Sequence, residues 1–198
     1  VIFFTLGAFA FFLFVRRLFI KYSEQERNII ALIATAFLVF YPTLLHRTVA
    51  GIPEKEPMGF FFMFLIFYFL MLAIQTTNKK NALIYGVLAG FSTGLLGLVW
   101  GGLVFAVLGV SISMLIFFFL RSTGEKDFFA YAAWVLTFTF ILSVFTTKYG
   151  GIAGLIFSTA TAGAYFVFFL LLADFLLRKS KFIKKINIKI PTAILSLL

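Results

Sequence analysis

Long apolar runs alternate with short polar connections along the whole chain. The apolar segments fall at about 1–20, 28–45, 57–74, 82–99, 103–120, 128–147 and 152–177, and another begins at about 191. Most approach the roughly 20 residues that a helix needs to cross the hydrocarbon core of a bilayer. Repeated runs of this length predict an all-α, polytopic membrane bundle of about seven helices plus the start of another. The chain begins without Met inside an apolar run, and Val1–Val15 is short for a full span. The stretch Pro191–Leu198 looks like a helix stopped after its first turns. The expectation is a single transmembrane domain over residues 1–198 that is an internal piece of a longer protein. Val1–Val15 lacks the basic flank and small-residue cleavage site of a signal peptide.

The polar connections differ in charge. Residues 16–27, 75–81, 121–127 and 178–190 hold fourteen of the seventeen Lys and Arg residues. The alternate connections hold only Arg47, Lys55 and Lys148. Basic residues in short loops set membrane orientation, with the basic side in the cytoplasm. That rule places the loop at 46–57, the turn at Val99-Trp100-Gly101-Gly102 and the turn at 147–151 outside a cell membrane that the chain crosses many times. Trp100 and Tyr149 then sit at outer boundaries, where aromatic belts are expected.

Composition narrows the chemistry. The chain is 63% hydrophobic and 12% charged, more apolar than a water-soluble domain needs. It has no cysteine, which excludes disulfides and thiolate metal sites, and His46 is its single histidine. The net charge of +10 lies in the topogenic loops, so no nucleic-acid partner is expected. Walker, dinucleotide, nucleophile-elbow and zinc-protease motifs are absent from the sequence. Gly86, Gly90, Gly94 and Gly97 recur along one segment, a spacing that allows close helix approach in lipid.

Glu54 and Glu56 are the leading candidates for chemistry, between Pro53 and Pro57. Proline lacks an amide hydrogen and restricts the residue before it, so this loop should not continue the preceding helix. An extended Glu-x-Glu would put both carboxylates on one face. Carboxylates suit hard divalent cations such as Mg²⁺ or Mn²⁺, with further ligands from elsewhere. The bland alternative is ordinary surface charge on a solvated loop. Arg47 could hold phosphate through its planar donor fork, or snorkel at the interface. His46 reads as an interfacial polar residue. Glu24 with Glu26, and Glu125 with Asp127, repeat the spacing inside basic loops and read as structural; Ser23 and Glu26 form a capping box. Asp174 with Arg178 reads as a local i,i+4 ion pair.

The run Arg47-Thr48-Val49-Ala50-Gly51-Ile52-Pro53-Glu54-Lys55-Glu56 resembles the second external loop of the oligosaccharyltransferase catalytic subunit family, in its archaeal type. Tyr41-Pro42 and the Trp100-Gly101-Gly102 turn extend the likeness, and the alternation of loops fits helices two to eight of that fold. The resemblance implies a GT-C glycosyltransferase bundle that moves a glycan from a polyprenyl or dolichyl phosphate or pyrophosphate carrier to the Asn amide of an N-x-Ser/Thr acceptor polypeptide. It implies Glu54 and Glu56 as catalytic metal-site acids, with Mg²⁺ or Mn²⁺, and Arg47 as a substrate-facing residue that shapes the site. Glu-x-Glu stands where Asp-x-Asp or Asp-x-Glu is common, Lys55 separates the acids, and Pro53 replaces a frequent aromatic. The family's first helix with its external loop would precede Val1. Its later helices and C-terminal soluble domain would follow Leu198. The piece by itself is therefore expected to be inactive. Two alternatives remain: another polyprenyl-phosphate-sugar-dependent GT-C enzyme, and a non-enzymatic transporter or membrane scaffold. Transporters place polar residues at the midplane, whereas these midplanes are nearly free of charge.

Overall fold

The computed structural model describes residues 2–42, 44, 54–120 and 123–179, with the side chains of Arg178 and Lys179 outside that set. Every described element is an α-helix: α1 (Ile2–Leu18), α2 (Glu24–Phe40), α3 (Glu56–Gln75), α4 (Lys79–Val99), α5 (Leu103–Leu120), α6 (Glu125–Phe145), α7 (Gly151–Phe157) and α8 (Ala162–Lys179). The all-α bundle expected from the apolar runs is what the chain forms. Large apolar side chains face outward along it, including Phe37 at 75%, Phe105 at 69% and Phe140 at 64% exposure. Such a surface is suited to lipid rather than water.

Local chemistry sets the helix starts. Ser23 caps α2, with its Oγ accepting from Glu26 N at 3.3 Å while Glu26 Oε2 accepts from Ser23 N at 3.0 Å. The capping box thus carries α2 back to Glu24, ahead of the apolar run that begins near residue 28. Asn78 Oδ1 accepts from Lys80 N at 2.9 Å to open α4. Asp127 Oδ2 accepts from Gly124 N at 2.9 Å to open α6. Both acid pairs read as structural from sequence therefore include a capping carboxylate.

The predicted segment at 152–177 is not one helix. It breaks into α7 and α8, which bend by 86°. Ser158 takes an extended conformation at the end of α7, and its Oγ accepts from Ala160 N at 3.2 Å. Thr161 Oγ1 donates to Leu155 O. Serine and threonine hydroxyls here offer the backbone alternatives to the helical ladder, a competition that hydropathy does not register. Positive φ at Gly150 (68°) and Gly151 (69°) makes the turn that enters α7.

Helices α3, α4, α5 and α6 are long and apolar enough to cross a membrane, and α7 with α8 makes a fifth span if the bent pair counts as one. Among the described residues the seven expected segments correspond to α1 to α6 and the bent α7–α8 pair. Helices α1 and α2 have 17 residues each. At about 1.5 Å per residue each covers roughly 25 Å, less than the ~30 Å hydrocarbon core. Charged residues take the last turn of α1 and the first turn of α2. The segment expected from residue 191 lies outside the described residues.

The glycine spacing acts as a packing surface. A β-carbon at Gly86 would lie 2.3 Å from Ala130 O, and one at Gly90 would lie 2.6 Å from Trp134 O. At Gly94 and Gly97 it would meet Ile141 at 2.7 Å and Leu142 at 2.8 Å. The rising register makes α4 and α6 parallel neighbours at close approach. Trp134 Nε1 donates to Thr93 Oγ1 at 2.8 Å inside this seam. Trp134, Phe138, Leu142, Leu96, Leu103 and Leu155 form the centre of the core. Helices α1 and α3 are also parallel: Phe3 meets Phe61 at 6.0 Å, Phe14 meets Phe67 at 5.7 Å, and Gln75 Nε2 donates to Arg17 O at 3.1 Å.

Candidate functional site

These registers sort the connections into two ends. The start of α3, the Trp100 turn and the Tyr149 turn lie together: Phe60 and Trp100 rings are 5.4 Å apart, and Tyr149 Oη donates to Gly97 O at 3.0 Å. At the other end Lys126 Nζ donates to Ile74 O at 2.7 Å, and Lys79 pairs with Glu125. The partition matches the alternation read from charge. The two ends are separated by the 20 residues of α3, about 30 Å of helix.

Glu54 and Glu56 sit at the first of these ends. Glu54 precedes α3 and Glu56 is its first residue; both are half-buried, while Lys55 between them is exposed. Pro57 falls within the first two helical positions, where a missing amide hydrogen costs nothing. It shares a small apolar gap with Phe4, Leu38, Leu44 and Phe60, which ties the start of α3 to α1 and α2. The helix N-terminus favours a negative charge at Glu56.

One expectation changes here. Lys55 has φ −85° and ψ −19°, a helical conformation. The extended alternation that would align both carboxylates on one face is therefore broken at the residue between them, because α3 begins around it. Glu54 and Glu56 thus stand at one mouth, without the extended backbone between them that was expected to align them. Among the described residues no group of three or more His, Cys, Asp or Glu side chains gathers to hold a metal. Arg47 and His46 lie outside the described residues, as does the rest of the loop from 45 to 53.

A residue pair that spacing did not flag supports this mouth. A β-carbon at Gly59 would lie 2.6 Å from Trp100 Cε3, and one at Gly102 would lie 2.2 Å from Trp100 Cζ3. The indole is wedged between two glycines, one of them three residues beyond Glu56. The signal available in the sequence was a lone glycine between Met58 and the run Phe60-Phe61-Phe62, where bulk would otherwise be uniform. Lys148 Nζ lies 5.2 Å over the Tyr149 ring at the same end and adds a positive charge there. Asp174 is buried in α8 at 3% exposure; whether it meets Arg178 lies outside the described side chains.

An apolar pocket of about 160 Å³ opens elsewhere, among Phe14, Phe67, Leu70, Met114 and Tyr131, and includes neither Glu54 nor Glu56. The chemistry available at the acidic mouth is that of hard oxygen donors beside an aromatic wall. It suits binding a cation or polarised donors rather than nucleophilic attack.

The family model described as "Oligosaccharyl transferase STT3, N-terminal" matches residues 1–190. No curated protein and no solved structure matches the chain. The match spans nearly the whole chain, and the chain belongs to that family.

Proposed function

We propose that this member of the oligosaccharyl transferase STT3 family forms the central membrane part of an archaeal-type catalytic subunit, and that Glu54 is its principal contribution to the reaction. At family level the chain is part of a membrane oligosaccharyltransferase, with lipid-linked oligosaccharide and acceptor polypeptide as substrates in general. In the finer reading a glycan passes from a polyprenyl phosphate or pyrophosphate to the Asn amide of N-x-Ser/Thr. The transfer takes place at the extracytoplasmic face of the cell membrane. The observation that carries this reading is the position of Glu54 and Glu56 at the bundle end that also holds the Trp100 turn. The positive-inside rule assigns the opposite, basic end to the cytoplasm.

The residues fit a divalent cation in part. Glu54 offers a half-buried carboxylate at the mouth, a hard donor of the kind Mg²⁺ or Mn²⁺ prefers. Glu56, the first residue of α3, is the second acid of the pair and supports the same site. The remaining oxygens would come from elsewhere in the intact protein. Bound there, the cation would supply Lewis-acid stabilisation of the leaving phosphate. Glu54 would hold and orient that centre, and Arg47 would offer its donor fork to phosphate oxygens. Trp100, held between Gly59 and Gly102, keeps the start of α3 in place beneath the acids.

The test is Glu54→Ala in the intact protein at normal expression, with Mn²⁺ binding followed by electron paramagnetic resonance alongside sequon glycosylation. Both should fall strongly while thermal stability holds, and Glu56→Ala should do less. Wild-type glycosylation and Mn²⁺ binding in Glu54→Ala would sink the assignment.

A further inference from the structure

The basic end of the bundle holds a polar cavity that the proposed reaction does not use. It is lined by Leu13, Arg16 and Arg17 of α1, Ile20 just beyond the end of that helix, Arg27 of α2 and Tyr68 of α3. Its volume is about 130 Å³, against roughly 10–15 Å³ for a single water. Leu13, Arg16 and Arg17 follow the i, i+3, i+4 spacing of one helix face. Side chains on a helix lean toward its N-terminus, so Arg16 and Arg17 reach back into the bundle. Tyr68 lies about two turns before the end of α3, at the depth those side chains reach.

The electrostatics are unbalanced. Glu24 Oε1 lies 2.7 Å from Arg16 Nη2 and 3.5 Å from Arg27 Nη2, and its side chain is 70% exposed. Among the described residues no carboxylate is within ion-pair reach of Arg17. Three guanidinium charges against one carboxylate leave +2 around the cavity. The Nε of Arg16, of Arg17 and of Arg27 is buried, and none has a hydrogen-bond partner among the described residues. Buried donors of this kind ordinarily find an acceptor. Arginines that only set topology would extend their heads into water. Converging guanidinium N–H groups suit the tetrahedral oxygens of phosphate, which accept several charge-assisted bonds at once.

We propose that the Arg16–Arg17–Arg27 cavity binds a phosphate group, at the end of the bundle opposite Glu54. The phosphodiester of an anionic lipid and free inorganic phosphate present the same oxygens, and the experiment separates them. The intact protein is titrated with inorganic phosphate by calorimetry in detergent. In parallel it is reconstituted with phosphatidylglycerol and phosphatidylcholine, extracted, and examined by native mass spectrometry for retained lipid. Saturable phosphate binding without retained phosphatidylglycerol assigns the free anion; retained phosphatidylglycerol assigns a headgroup. Either signal should fall about tenfold or more in R17Q/R27Q, the scale expected for lost hydrogen bonds to a charged group. The control K21Q/K80Q removes the same charge from two exposed positions and should keep binding within about twofold, as weakly coupled surface charges do. If R17Q/R27Q fails to fold, Arg17→Gln alone decides, because the Arg17 guanidinium makes no ion pair among the described residues. Absence of both signals, equal loss in variant and control, or unchanged binding in Arg17→Gln overturns the proposal.

Discussion

Gly90→Ala probes the seam between α4 and α6. A β-carbon there would sit 2.6 Å from the Trp134 carbonyl oxygen and 2.7 Å from Thr137 Cβ. Neither atom is the far end of a flexible side chain, so relief requires the helices to separate. Carbon atoms rest comfortably at about 3.5 Å, which asks for a retreat of roughly 0.8 Å. Overpacking of this kind costs about 1–3 kcal/mol. The same retreat stretches the 2.8 Å bond from Trp134 Nε1 to Thr93 Oγ1, between two residues at 0% exposure. Losing that bond adds about 1 kcal/mol. Alanine's helix propensity, worth roughly 1 kcal/mol in water, offsets part of this. In a bilayer the offset shrinks, because the chain stays helical when its tertiary packing is lost. The expected net loss is about 1–4 kcal/mol, read as a lower thermal midpoint in detergent by intrinsic fluorescence. Gly109→Ala is the control: its β-carbon would meet only the Phe67 ring, at 3.9 Å. Equal midpoints for the two variants would refute close approach at this seam.

Gly59→Ala should displace the Trp100 indole, which a new β-carbon would meet at 2.6 Å. A shifted tryptophan emission and a loss of about 1–3 kcal/mol are expected, whereas Gly101→Ala, with nothing within 4 Å of its β-carbon, should change neither. Glu26 is held below its ordinary value of 4.5 by the hydrogen bonds from the Ser23 hydroxyl and then the Ser23 backbone N–H. Its folded pKa is depressed, so the contribution of this cap is present above the unfolded value and lost as pH falls through the folded one. Carbon-detected titration of Glu26 should give a midpoint below 4.5 that returns toward it in Ser23→Ala; an ordinary midpoint in the unmodified protein would contradict the capping box.

What the sequence discloses here is what depends on neighbours along the chain. The capping box at Ser23 and Glu26 spans one helical turn, so residue identity alone reveals it. The glycines of α4 declare themselves by period, because small residues on one face have few other uses in lipid. The break between α7 and α8 stays hidden for the opposite reason. The segment is apolar on both sides, and the bend depends on where the Ser158 and Thr161 hydroxyls find backbone partners. The acidic mouth was legible in place but not in backbone conformation. The position of Glu54 and Glu56 follows from topology, whereas the helical angles of Lys55 between them follow from α3 starting beneath Pro57. Arg16, Arg17 and Arg27 read as topogenic charge in one dimension. Their convergence requires α1, α2 and α3 to meet at that end with Tyr68 across the gap.

The position of the acids is inherited from the seam through a short series of contacts. Gly97 packs on Leu142, which fixes the Trp100 end of α4 against α6. Trp100 N donates to Leu96 O at 2.8 Å, so the indole leaves α4 in a set direction. The ring then fills the space above Gly59, on the first turns of α3, and Phe60 meets it from the side. Glu56 stands less than one turn from that contact. A carboxylate that serves a reacting centre needs its backbone held by rigid elements rather than by its own loop. Here the loop side of Glu54 is flanked by proline, and the helix side is clamped by an aromatic wedge. The glycine seam and the acidic mouth are therefore one mechanical unit. Loosening α4 against α6 near Gly97 will therefore be felt at Glu56, through Leu142, Trp100 and Gly59.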